Sequence, residues 1–208
     1  NKFRVDNLDM RLWKTFNIQK REGIAYYNTQ SEFETEQFAL HLNRLICEEM
    51  TATGKDGVMF LCIGTDRSTG DSLGPLIGYK LKEMNTVNFT IFGTLDRPVH
   101  AMNLDEYVNI LQRFYRNDLV VAVDASVGHK EHIGYVTLGK GALKPGLGVS
   151  KELRAVGDIF ITGIVGSCGN YDPLMLQSVR LSVVMNLADC ISSSIYLVEK
   201  LWRNAALI

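Results

Sequence analysis

Residues 64–75, GTDRSTGDSLGP, follow the apolar run VMFLCI at 58–63, and this junction constrains the fold more than any other stretch of the chain. A buried strand runs into a polar loop punctuated by glycines, and Asp71, Ser72, Leu73 and Pro75 then read as the cap and first turn of a helix. In open α/β sheets ligands bind outside the carboxyl ends of the strands, so a carboxylate at this junction is placed for chemistry. Asp71 is that carboxylate, with a plain helix N-cap as its alternative role.

The remaining pattern repeats the unit. Phe38, Ala39, Leu42, Leu45, Ile46 and Met50 recur at helical spacing after a Ser31/Glu34 capping box and stop at Gly54. Residues 73–84 predict a second helix and FTIFG at 89–93 a second strand. Asn103 with Glu106 predicts the cap of a third helix, carrying Leu104, Tyr107, Val108, Leu111 and Phe114 on its apolar face. The run LVVAVD at 119–124 is almost wholly apolar and ends in an acid, as a central parallel strand does, so Asp124 occupies the same kind of position as Asp71. Residues 133–138 read as a shorter, antiparallel strand, 139–149 as a glycine-rich loop and 159–165 as another buried strand.

A long apolar helix is expected from Asp172–Pro173 to about residue 202; Arg180, Asn186 and Asp189 mark it as a core helix and not a membrane span. The expected architecture is α/β with three layers, a mixed and mostly parallel sheet of four or five strands flanked by helices, phosphorylase/hydrolase-like. With 208 residues, 46% of them hydrophobic, the chain can bury the core of one domain over 1–208, with a basic, aromatic N-terminal arm at 1–30 that packs as strand or loop.

Several function classes are disfavoured. A net charge of −1 from 22 basic and 23 acidic residues gives no nucleic-acid footprint and no attraction to a membrane surface. No GK[ST] follows the first loop, no GxGxxG follows a strand, and GxSxG and HExxH are absent. Cys47, Cys62, Cys168 and Cys190 form no CxxC pair and read as free, buried thiols of a reducing compartment; Cys168 as a nucleophile would need a histidine beside it. The N-terminal stretch lacks the apolar core of a signal peptide, so a cytoplasmic location is expected. His129 and His132 fall on a polar turn without a third metal ligand near them in sequence.

What remains is the pair Asp71 and Asp124. If adjacent parallel strands carry them, two carboxylates share one cleft, cannot both ionise cheaply, and form a general acid beside a general base able to activate water. Such a pair suits amide hydrolysis without a nucleophilic side chain. Weaker candidates for substrate contact are Arg67 in the first loop, Arg97 and His100 after the second strand, Lys144 in the glycine-rich loop and Asn170 after the last strand. No cofactor is expected, with a divalent metal at Asp71 and Asp124 as the alternative, and association into a homo-oligomer stays open.

The runs GTDRSTGDSLGP, GTLDRPVHAMNL, VVAVDASVG, KPGLGV and FITGIVG closely resemble the sporulation protein YyaC family, assigned to spore proteolysis. The resemblance covers about residues 55–200, a peptidase-like core. That family is similar to the spore germination protease, an atypical aspartic protease, and more distantly to hydrogenase maturation endopeptidases, in which acids at the same two places bind a metal. The resemblance implies a single α/β domain, Asp71 and Asp124 as catalytic residues, protein or peptide substrates such as small acid-soluble spore proteins, action in sporulation or germination, and a forespore or spore interior location. Lys144 stands where the germination protease has a histidine, a fixed cation replacing a titrating imidazole. Two other readings are a non-catalytic binding or regulatory protein of sporulation and a metal-dependent maturation-type peptidase.

Overall fold

A computed structural model of the chain describes residues 19–21, 23–30, 33, 35–145, 153–167 and 175–205. In chain order the elements are β1 (Gln19–Arg21), β2 (Ile24–Asn28), α1 (Thr35–Thr53), β3 (Gly57–Cys62), α2 (Leu73–Glu83), β4 (Phe89–Phe92), α3 (Leu104–Phe114), β5 (Asp118–Gly128), β6 (Tyr135–Lys140), β7 (Ile159–Ser167) and α4 (Leu181–Ala205). Single 3-10 turns lie at Gly70–Ser72, Lys130–His132 and Met175–Gln177. One seven-stranded sheet has the order β1-β2-β6-β7-β5-β3-β4. Strands β4, β3, β5 and β7 are parallel, and β6, β2 and β1 extend the β7 side antiparallel.

The mixed α/β sheet is the one the sequence predicts, with more strands. The additional ones are the hairpin β1–β2 from the N-terminal arm, which the sequence left as strand or loop. Tyr27 explains why it docks: its ring packs edge-on to Phe38 at 5.0 Å, and its buried hydroxyl lies 2.5 Å from His41 Nδ1 of α1. The Cys47 and Cys190 thiols are half-buried, not fully buried as expected, while Cys62 is buried in β3 with its thiol pushed up to about 12 by desolvation.

Alternation along each strand divides the core. Val58, Phe60, Cys62, Val121, Val123 and Ile161 face α1, α2 and α4, while Met59, Leu61, Ile63 and Ala122 face Leu104, Val108 and Leu111 of α3. Helix α1 buries the predicted stripe and ends where Gly54, at φ +72°, donates its N–H to Met50 O. The Ser31/Glu34 capping box lies outside the described residues. At α3 the predicted cap is replaced: the Asn103 side chain makes no bond to the helix, accepting from His100 N–H at 2.8 Å and donating to Pro98 O at 3.0 Å. Asn103 thus ties down the β4–α3 connection.

Helix α4 begins at Leu181, later than the predicted Asp172, and a 3-10 turn precedes it. It is long and apolar enough to cross a membrane by length and composition. In the structure Val184, Leu187, Ile191, Ile195 and Val198 are instead sunk into the core against α1 and α2. Glu199 is fully buried there, a costly place for a carboxylate unless every lone pair is used. It accepts from the N–H groups of Val87 and Asn88, from Asn88 Nδ2 and, at 2.8 Å, from Arg203 Nε, which fixes the α2–β4 turn to α4.

Helix α2 approaches the sheet at backbone distance. A Cβ on Gly74 would collide with the Ile63 carbonyl, and one on Gly78 with the Gly93 carbonyl. These glycines are four apart and share one helical face, so α2 lies directly on the ends of β3 and β4. Overpacking such a contact costs about 1–3 kcal/mol. Gly74→Ala is therefore expected to lower unfolding free energy by about that amount in urea titrations followed by circular dichroism, and an unchanged midpoint would show that α2 is not seated in this way.

Candidate active site

Asp124 is brought to a carboxyl edge by a difference in strand length. The register pairs Cys62 with Val123, and β3 stops there, while β5 continues to Gly128 alongside β7. The acid therefore lies within β5 and not at its end, as the sequence suggested, yet it is the first β5 residue beyond the end of β3. Ile63 N–H still bonds Val123 O at 2.7 Å; the next residue, Gly64, turns away to Val99 O at 2.8 Å. By strand alternation the Asp124 side chain shares the α3-covered face with Ala122. It is 6% exposed, and its Oδ1 accepts from Ala125 N–H at 2.8 Å.

Asp71 approaches from the loop that follows β3. The loop closes on itself, with Thr65 N–H donating to Asp71 O at 3.0 Å and Ser72 Oγ donating to Thr69 O at 2.7 Å. Gly64, at φ +141°, lies so close to the Asp71 carbonyl that a Cβ would collide with it. Asp71 sits inside the 3-10 turn Gly70–Ser72, and Ser72 occupies the cap position of α2 without a side-chain bond to the helix N-terminus. The Asp71 carboxyl is thus not the helix cap that its position suggests.

The two acids influence each other. Desolvation raises the Asp124 pKa well above the carboxylate range, and the neighbouring Asp71 charge raises it further; the Ala125 N–H opposes this weakly. Asp71 is also raised by burial, but the Thr65 backbone and the His100 imidazole pull it back. Both carboxyls are raised, and Asp124, buried and facing the Asp71 charge, is the better placed of the two to hold a proton. His100 Nδ1 accepts from Met102 N–H at 3.2 Å, which fixes the orientation of the ring. His100 thus comes to the site through Val99, which bridges Ile63 in parallel fashion.

The other sequence candidates are less close. Arg67 and Arg97 are exposed, the first in the site loop and the second in a tight turn bonded both ways to Thr94. Lys144 is exposed and forms no ion pair with the described residues. Asn170 and Cys168 lie outside the described residues. His132 packs its ring between Tyr26 and Tyr135, consistent with a polar turn. Sequence reasoning missed three hydroxyls, Ser126, Thr137 and Thr162, which bond to one another on the Asp124 face. The available signal was Thr162 itself, a polar residue inside the run IFITGIV.

A divalent metal at the pair would have two carboxylates as ligands. Among the described residues no group of three or more His, Cys, Asp or Glu is placed to hold one. Among the described residues the donor set falls short of a dedicated cation site.

Residues 30–194 match a family described as a protein of unknown function, DUF1256. The chain is 45% identical over 157 residues to the uncharacterized protein YyaC of Bacillus subtilis (strain 168), covering 75% of this chain and 76% of that protein. Among solved structures, a [NiFe] hydrogenase maturation protease, HycI from Thermococcus kodakarensis KOD1, superposes with a TM-score of 0.51 at 20% identity, covering 77% of this chain and 99% of that one. This shows a shared fold, that of a maturation protease. By its sequence match to both the family model and YyaC, the chain belongs to the DUF1256 family of YyaC.

Proposed function

We propose that the protein is an endopeptidase of atypical aspartic type that hydrolyses spore proteins in sporulation or germination. The feature that supports this most is the unequal carboxyl pair, with Asp124 buried and raised well above the usual carboxylate value and Asp71 raised but held back by Thr65 and His100. The family resemblance adds the substrate class, small acid-soluble spore proteins, and the spore interior as the place of action. The maturation-protease fold supports peptide-bond chemistry in general.

In this reading the Asp71 carboxylate takes a proton from a water whose oxygen attacks the peptide carbonyl carbon. Asp124 gives its proton to the carbonyl oxygen, leaving a neutral gem-diol. Asp71 then returns its proton to the departing amide nitrogen, the C–N bond breaks, and Asp124 recovers a proton from a diol hydroxyl. Each acid ends as it began. The burial that makes Asp124 a proton donor also excludes bulk water from competing for that proton.

Asp71→Asn and Asp124→Asn are each expected to abolish cleavage of purified small acid-soluble spore proteins, read by mass spectrometry. Saturable binding without cleavage by the unaltered protein would favour a binding or regulatory role, and loss of cleavage with a chelator would favour a metal-dependent peptidase. Activity should follow a bell-shaped pH profile, its acid limb set by protonation of Asp71 and its alkaline limb by ionisation of Asp124.

The same pair predicts an effect on stability. Both folded pKa values lie above those of free carboxyls, so the folded chain keeps protons that the unfolded chain has released. Stability therefore falls as pH rises through that window. Asp124→Asn removes the larger part of this cost. Its Tm should exceed that of the unaltered protein at neutral pH, and the difference should shrink to nothing below about pH 4, where the unfolded carboxyl is also protonated. Melting curves at several pH values decide it.

A further inference from the structure

Three hydroxyls run in a line beside Asp124. Ser126 Oγ donates to Thr162 Oγ1 at 3.0 Å, and the Thr162 and Thr137 hydroxyls are 2.6 Å apart, with either able to donate. Thr162 and Thr137 are each only 6% exposed. Thr162 is the register partner of Asp124 across the parallel β5–β7 pair, and Thr137 is the partner of Thr162 across β6–β7, so all three side chains share one sheet face. The buried neighbours along these strands, Ile161, Ile164, Val136 and Leu138, are apolar.

A hydroxyl has one proton and two acceptor sites. When Thr162 accepts from Ser126 and from Thr137, its own proton has no partner within the line and is directed outward. When Thr162 donates to Thr137 instead, one of its acceptor sites is left free. Turning a single hydroxyl pair thus converts Thr162 from donor to acceptor. On Asp124, Oδ1 is occupied by Ala125 N–H, and Oδ2 has no protein donor among the described residues. Asp124 and Thr162 stand side by side on adjacent strands, which lie about 4.8 Å apart, and polar groups so placed that do not bond directly can be joined by a bridging water.

We infer that Thr162 is a positioning residue for the acid of the pair, acting through one water. Its hydroxyl line accepts while Asp124 holds its proton, and donates toward Oδ2 once that proton has gone to the substrate. Thr137 makes the reversal. The role rests on the peptidase reading for its place in the cycle, but the hydroxyl line acts on Asp124 whether or not a substrate turns over. The charges acting on Asp124 come from Asp71, with His100 behind it, and all variants leave both in place.

The test compares Thr162→Val, Thr162→Ser and Thr137→Val after a cooperative melt confirms folding. One arm measures kcat and KM on the cleaved spore protein. The other follows the Asp124 carboxyl by carbon-13 NMR of aspartate-labelled protein, assigned with Asp124→Asn. Thr162→Val should lower kcat about tenfold with KM nearly unchanged, since a charge formed during the reaction loses its donor. It should also move the Asp124 titration upward; Thr162→Ser should restore both values, and Thr137→Val, which leaves the Thr162 proton no acceptor in the line and so directed outward, should move the titration downward. A Thr162→Val protein with unaltered kcat and titration overturns the proposal, as does a Thr162→Ser protein that behaves like valine. If the unaltered protein cleaves nothing, the peptidase reading fails while the NMR arm still decides the hydroxyl line. If Thr162→Val does not fold, an unshifted Thr137→Val titration overturns it.

Discussion

The contact on which the site depends is the direct seating of α2 on the sheet. Because Gly74 and Gly78 carry no side chain, the helix meets the carbonyls of Ile63 and Gly93 at backbone distance. A helix held off by ordinary side chains would sit farther from the sheet, and the loop before it would swing outward. Instead the loop is compressed until Thr65 bonds the Asp71 carbonyl, and that compression brings one carboxyl into the field of another. The glycines thus serve to bring two carboxyl groups together.

Carboxyl pairs are usually described as symmetric, and this one is not. Asp124 comes from the interior of a strand and has little water around it, whereas Asp71 comes from a loop and keeps a histidine and a backbone donor nearby. The asymmetry follows from which kind of element delivers each acid. A strand interior is walled by its neighbours, while a loop retains contact with solvent and with other loops, here through the Ile63–Val99 bridge that brings in His100.

Much of this is readable in the sequence because the central strands are apolar enough to announce themselves and because an acid directly after such a run has few other places to go. The βαβ alternation and most of β6, read from the sequence as 133–138 and found at Tyr135–Lys140, come from local pattern alone. The hairpin at 19–28 does not, since strands of three and five residues have too little alternation to separate them from a packed loop. The Asn103 cap misled for a physical reason: its amide had a better offer from the connection it closes than from the helix it precedes. The hydroxyl line was invisible because it joins residues 25 and 36 positions apart, and only the strand order brings them together.

The overhang of β5 past the end of β3 has a consequence for how such a chain can change over evolutionary time. Side chains on a strand alternate in direction, so inserting or deleting one residue between 119 and 123 would turn Asp124 from the α3 face to the opposite one. It would also exchange the two apolar sets that face the helices on either side. Substitutions along β5 can accumulate one at a time, but changes in its length can be accepted only in steps of two. The surface connections, such as the turn at Lys130–His132, carry no such parity rule, and variation in length among related chains should therefore collect there.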